Sequence, residues 1–116
     1  MSEMVELLES KYREFAEAHG AATIRGDYKA ANRNHDKLVA LVPKLRACGG
    51  EGEAALLRLM ADQSEAVACW AATHSLPFAE SDALRTLDAL AKRTGVWAFN
   101  AEMVAQQWRR GELKIP

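Results

Sequence analysis

Very little in this chain advertises a reaction. Its 116 residues include only two cysteines, Cys48 and Cys69, too few for a disulfide framework, so a reducing cytoplasm is the expected setting. Neither charge sign is in excess, with 15 Lys and Arg against 16 Asp and Glu. That balance argues against a dedicated nucleic-acid binder. No run approaches the roughly 20 apolar residues of a membrane helix. The opening Met1-Ser2-Glu3-Met4 has neither the basic start nor the apolar core of a secretory leader. Glycine-rich nucleotide loops, His-Glu-x-x-His, Gly-x-Ser-x-Gly and acidic calcium loops are all missing. Runs of β-branched residues are absent as well, and only three prolines interrupt the chain.

What remains is helical material. Apolar residues make up 49% and charged residues 27%, enough to bury one core, and the length leaves no room for a second. Ala, Leu, Glu, Lys and Arg dominate, and the glycines fall mostly between periodic segments. From about Ser2 to Arg25, Val5, Leu8, Tyr12, Phe15, His19 and Ala22 recur at three and four, which is one face of a helix. Gly20 weakens its last turn, Gly26 suits a C-terminal cap, and Asp27 suits the N-cap of the next helix. Tyr28, Ala31, His35, Leu38, Val42 and Leu45 repeat the pattern to about Cys48, with a kink or restart expected at Pro43. Gly49-Gly50 stops it, and Gly49-Gly50-Glu51-Gly52 reads as a linker.

Shorter helices are predicted beyond the linker. Glu51 to Ala61 presents Ala54, Leu57 and Met60 with Leu56; Ser64 caps Glu65 to Leu76, which Pro77 closes. Ser81 caps Asp82 to Arg93, with Leu84, Leu87, Leu90 and Ala91 inward. After Gly95, Trp97, Ala101, Val104 and Trp108 line a last helix ending near Gly111. A shift of about 30 residues sets Leu57 on Leu87, Met60 on Leu90, Ala61 on Ala91, Ala68 on Ala98 and Ala71 on Ala101. A recurring helix–turn–helix unit is the signature of an α-solenoid. The expected fold is therefore all-α with about six helices in one domain. A long hairpin (1–48) caps two short helix pairs (51–111), since about three units are usually needed.

The run Gly26-Asp27-Tyr28-Lys29-Ala30-Ala31-Asn32-Arg33, then Asp36-Lys37-Leu38, Pro77-Phe78-Ala79 and Trp108-Arg109-Arg110-Gly111, resembles a bacterial family of small proteins catalogued as a domain of unknown function. The resemblance spans most of the chain and implies a HEAT-like helical fold, with no assigned activity or catalytic residue. Some small HEAT-like bacterial proteins are immunity partners of toxins, an association of the architecture only.

Candidate site residues gather in two places. Tyr28, Asn32 and His35 share a face of the second helix, and Asn32 lies one turn before Asp36. With Arg33 they form either a recognition patch or a structural network in which His35 finds a hydrogen-bond partner. If the hairpin folds back at Gly26, residues whose numbers add to about 53 should meet, including His19 with His35. Asn32 or Asp36 would then accept a bond from an imidazole. The pair could fix register or seed a metal site, but no residue plainly completes a four-ligand set. The second place is a concave face carrying Trp70, His74 and Trp108, flanked by Glu65.

Charge is uneven along the chain. Residues 27–50 carry Lys29, Arg33, Lys37, Lys44 and Arg46 against Asp27 and Asp36, a balance of +3. Residues 51–80 carry Glu51, Glu53, Asp62, Glu65 and Glu80 against Arg58, a balance of −4, which could steer a basic protein partner. The leading expectation is a non-catalytic protein-interaction module with no cofactor or metal, whose sharper form is an immunity protein that occludes a toxin. The alternatives are a structural homodimer and a metal-dependent or enzymatic protein built on His19, Asn32, His35 and Asp36.

Overall fold

A computed structural model describes residues 2–115, and among these it contains six helices and no strand. They are α1 (Glu3–Ile24), α2 (Tyr28–Ala47), α3 (Gly50–Leu59), α4 (Glu65–Ser75), α5 (Glu80–Ala91) and α6 (Val96–Arg109). Ser2 caps α1, its side chain accepting from the Val5 N–H at 3.2 Å, with Glu3 and Glu6 favourably placed in the first turn. At the far end Gly26 adopts φ +77°, and Asp27 accepts the Ala30 N–H at 3.1 Å to start α2. The chain therefore reverses in a tight turn, and α1 and α2 pack along each other. Helix α2 runs through Pro43 without a break. Pro43 and Val39, whose carbonyl loses its donor, both face solvent, where water can replace the missing bond.

Burial follows the expected stripes in the hairpin. Val5, Leu8, Tyr12, Leu38, Val42 and Leu45 are buried and join Ala55, Leu56, Leu59, Val67 and Ala71 in one core cluster. A second cluster holds Leu76, Ala83, Leu87, Leu90, Trp97, Ala101 and Ala105. Helix α4 supplies both: Val67 and Ala71 face the first, while Ala66, Ala68, Cys69 and Ala72 face the second. Nine of its 11 residues are buried, and it packs against α1, α3, α5 and α6.

Several expectations shift against this frame. Tyr28 is 74% exposed, because no element covers that face of the first turn of α2. Glycines 50 and 52 belong to α3, not to a linker. Gly52 is buried where α3 crosses α2, and a Cβ there would run into the Leu45 carbonyl oxygen. This approach fixes the rotation of α3, so Gly52, Ala55, Leu56 and Leu59 face inward while Leu57 is 36% exposed. Leu57 thus has no counterpart in fully buried Leu87, and the 30-residue match fails at that position. Helix α5 starts at Glu80 with Ala79, not Ser81, in the cap position. The Ala79 N–H already bonds to the Ser75 carbonyl at 2.8 Å, so the chain leaves α4 and enters α5 with no side-chain cap.

Gly20 serves a similar purpose inside α1. A Cβ there would lie 2.9 Å from the Ala66 Cβ and 3.2 Å from Trp97 Cζ2, so the glycine lets α1 close onto α4 and α6. Gly52→Ala should destabilise the protein by about 2 kcal/mol, because overpacking outweighs the gain in helix propensity of about 1 kcal/mol. Gly50→Ala, where a Cβ meets nothing within 4 Å, should be neutral or mildly stabilising. Urea unfolding of the two variants side by side checks this; equal effects would refute the close-approach argument.

Candidate functional site

Where the hairpin seam leaves its apolar stretch, rings replace aliphatic side chains. The reversal at Gly26 brings the His19 and His35 rings to 6.1 Å between centroids. Helix α4 inserts Trp70 beside them, 5.3 Å from His19 and 5.4 Å from His35. The Trp70 indole N–H donates to His19 Nδ1 at 3.3 Å. With that lone pair occupied, neutral His19 carries its proton on Nε2. Trp97 approaches the other side of His19 at 6.2 Å.

One turn along α4, His74 stacks on Trp70 with centroids 5.5 Å apart and planes at 21°. Its Nδ1 lies 2.6 Å from the Tyr12 hydroxyl. Tyr12 is fully enclosed, and burial holds its phenol well above the ordinary value, so the hydroxyl keeps its proton, and the tautomer of His74 sets which of the two donates. Tyr12, His74, Trp70, His19 and His35 therefore form a continuous chain of rings from the core to the surface. Burial, and then the neighbouring His35, lowers His74 to about 4 and also lowers His19. Both are held neutral near pH 7.

Asp36 reaches the outer end of this chain, 3.6 Å from His35 Nδ1, an ion-pair distance. The close hydrogen bond to an imidazole comes instead from Trp70, which the hairpin register alone could not reveal. Asn32, Arg33 and Asp36 are exposed on α2 beside exposed Tyr28. Among the described residues no three His, Cys, Asp or Glu side chains gather as a metal-ligand set. Burial pushes the Cys69 thiol up to about 11, and the Asn100 amide donates to its Sγ at 3.2 Å, the setting of an inert structural thiol.

Of the three anchors expected on a concave face, Trp70 and Trp108 are half-buried and His74 is buried. His74 is buried at 5% exposure, and half-buried Trp70 faces the hairpin seam. Trp108 packs on the other core cluster and donates its indole N–H to Glu80 at 2.9 Å. Glu65 pairs with Arg93 at 3.2 Å. Helix α4 packs against α1, α3, α5 and α6, which accounts for the burial of His74. The Tyr12 and His74 pairing was missed by sequence reasoning, although Trp70 and His74 four residues apart on one helix already placed their rings together.

The acidic segment is also largely engaged. Glu53 pairs with Arg46 at 3.7 Å, Asp62 with Arg13 at 2.7 Å, and Glu65 and Glu80 are occupied as above. By contrast, Lys29, Arg33, Lys37 and Lys44 make no salt bridge among the described residues, and Lys37 lies over the Phe15 ring at 5.6 Å. These cations lie on α2, while Glu3, Glu6, Glu14 and Glu17, also exposed and without a salt bridge among the described residues, lie on α1 of the same hairpin. No helix among the described residues is long and apolar enough to cross a membrane.

No known family model matches the chain, and no curated protein matches it. Among solved structures it is similar to the crystal structure of the protein RPA1889 from Rhodopseudomonas palustris CGA009. The TM-score is 0.89 at 21% identity, covering 99% of this chain and 96% of that one. At that identity the likeness shows the fold alone.

Buried His74 and half-buried His19 set a sign for pH dependence. Their folded pKa values lie below the unfolded value of about 6.5, so stability is full above it and falls as pH drops below it. Between about pH 6.5 and 4, His74 alone should remove about 1.4 kcal/mol per pH unit. Urea midpoints should therefore fall from pH 7.5 to 5, and the fall should be shallower in His74→Phe. Identical pH profiles for the two proteins would show that His74 is not held neutral by burial.

Proposed function

We propose that the protein is a non-catalytic protein-interaction module that binds through the tip of its N-terminal hairpin. The observation that carries this reading is the pair Ile24 and Tyr28, 71% and 74% exposed on either side of the turn. Exposed Asn32, Arg33 and Asp36 on the adjoining helix rim them. An exposed aromatic and aliphatic pair with a polar rim has the anatomy of a binding hot spot. The non-catalytic half of the proposal is supported by the histidines. The Nδ1 atoms of His19 and His74 are occupied by Trp70 and Tyr12, and His74 is enclosed.

The mechanism is steric occlusion by a rigid helical surface, with no bond made or broken. The sharper form is an immunity protein that covers a toxin in the cytoplasm of the same cell. The α3–α4 and α5–α6 pairs would then be HEAT-like units that hold the hairpin rigid, in keeping with the resemblance to the domain-of-unknown-function family. On the α2 side of the tip, Lys29, Arg33 and Lys37 make no salt bridge among the described residues and favour an acidic partner surface over a basic one.

A second reading, a homodimer, is favoured by a stripe on α6 in which Val96, Phe99 and Met103 are 51%, 66% and 36% exposed. The two readings separate cleanly. The purified chain should have the native mass of one copy, and tagged protein should capture one stoichiometric partner from its own cells. Tyr28→Ala with Arg33→Glu should weaken that capture about 30-fold or more, the loss of at least one hot spot of about 2 kcal/mol. For the immunity form, co-expression with a toxin encoded beside it should restore growth, and the same double variant should lose the rescue. A two-copy mass that Phe99→Ala reduces to one, or capture indifferent to the tip variant, would overturn the proposal.

A further inference from the structure

The opposite end of the hairpin carries a different surface. Met4, Leu7, Leu8 and Lys11 of α1 and Leu41, Lys44, Ala47 and Cys48 at the end of α2 line an open groove of about 530 Å³. Its α1 wall follows the i, i+3, i+4, i+7 row of a helix, over about 10 Å of rise. Met4 is 61% exposed and Leu7 53%, while Leu8 and Leu41, at 6% and 5%, form the floor. Because the helices run antiparallel, Lys11 and Lys44 stand on opposite walls near the hairpin-middle end, and Met4, Ala47 and Cys48 lie at the other. The lining holds two positive charges and no negative one, and neither lysine makes a salt bridge among the described residues.

We infer that this groove seats an amphipathic helix of a partner protein, with an apolar stripe toward Met4, Leu7 and Leu41 and carboxylates toward Lys11 and Lys44. The fold itself supplies the precedent. Helix α3 packs against both α1 and α2, so one flank of this hairpin end is already covered by a helix, and the lysine-bearing flank is not. Two packed helices present ridges that a third helix fits. A second copy of this chain is the poorer occupant. A two-fold contact sets the same patch against itself and would bring four unpaired lysines together. This inference is independent of the hairpin tip, since the groove lies at the other end of α1 and shares no residue with it.

The test uses two synthetic helical peptides of about four turns, each with leucines at i, i+3, i+4 and i+7. One is flanked by Glu and its twin by Lys. Fluorescence anisotropy with the intact protein at about 50 mM salt should show the Glu peptide binding at least tenfold tighter. Lys11→Glu with Lys44→Glu should reverse the preference, and Leu7→Asp should abolish binding of both peptides. Tyr28→Ala should change nothing, which keeps failure here distinct from failure at the tip. Leu7 is half exposed, so Leu7→Asp should shift Tm by less than about 4 °C, and loss of binding cannot be mistaken for unfolding. No binding, equal binding of the twins, or binding indifferent to the variants would overturn the inference. So would a native dimer that Leu7→Asp dissociates, or stoichiometric dodecanoate uptake that Leu7→Asp abolishes, each of which assigns the groove to another occupant.

Discussion

Everything in this fold depends on a short helix that has no outside. Helix α4 is enclosed by four others, and a helix in that position must be thin on most sides. The sequence Glu-Ala-Val-Ala-Cys-Trp-Ala-Ala-Thr-His-Ser meets the demand with alanines 66, 68, 71 and 72 and with Cys69. Gly20 extends the same logic to α1, whose backbone comes close enough that a methyl group would strike Ala66. Close approach of backbones buries area without large side chains, and its cost is intolerance of added volume. The N-terminal hairpin and the α5–α6 pair meet mainly through this helix, and each core cluster contains part of it.

Two residues of α4 break the rule of smallness, and both turn toward the hairpin. Trp70 fills the space between His19 and His35, and His74 reaches Tyr12. A polar chain in an apolar seam is costly unless every member finds a partner, and here the indole donates to one imidazole and the phenol is hydrogen-bonded to the other. The return is specificity: only one depth and rotation of α4 against α1 satisfies both bonds at once. The same arrangement makes the seam sensitive to charge. A proton on His35, at the solvent end, disfavours protonation of both His19 and His74.

The hairpin was legible in the sequence because each of its helices has one buried face, and one buried face produces a period. Phe15, Tyr12 and Leu8 opposite Leu38, Val42 and Leu45 could be matched from their numbers alone, and they share one core cluster; so could His19 with His35. Helix α4 has no such period, because apolar residues are wanted on all sides, so its central place could not be distinguished from that of an ordinary second helix in a repeat. Helix α3 misled for another reason. Its rotation is set by the contact of Gly52 with the Leu45 carbonyl, and a glycine contributes nothing to an apolar pattern. That is why Leu57 looked inward and faces out. Tyr28 fitted the stripe of α2 but lies beyond the reach of any covering element. Within the candidate site, the exposure of Asn32, Arg33 and Asp36 on α2 was readable, and the enclosure of His74 against Tyr12 was not.

What the interior consumes determines what the surface can offer. The histidine lone pairs facing the seam, the indole protons of Trp70 and Trp108 and most carboxylates of residues 51–80 are engaged within the chain. Arg58 and Arg109 grip Glu9 and Asp88 with two contacts each, clipping α3 to α1 and α6 to α5. Such exposed pairs add little stability individually, but they remove acidic charge from the surface field. Among the groups left facing water without a salt bridge between described residues are Lys11, Lys29, Lys37 and Lys44, the carboxylates of Glu3, Glu6, Glu14 and Glu17, and apolar side chains at both ends of the hairpin and on α6. On the proposed reading, a partner would set carboxylates opposite the lysines and apolar side chains opposite Tyr28 or Leu7.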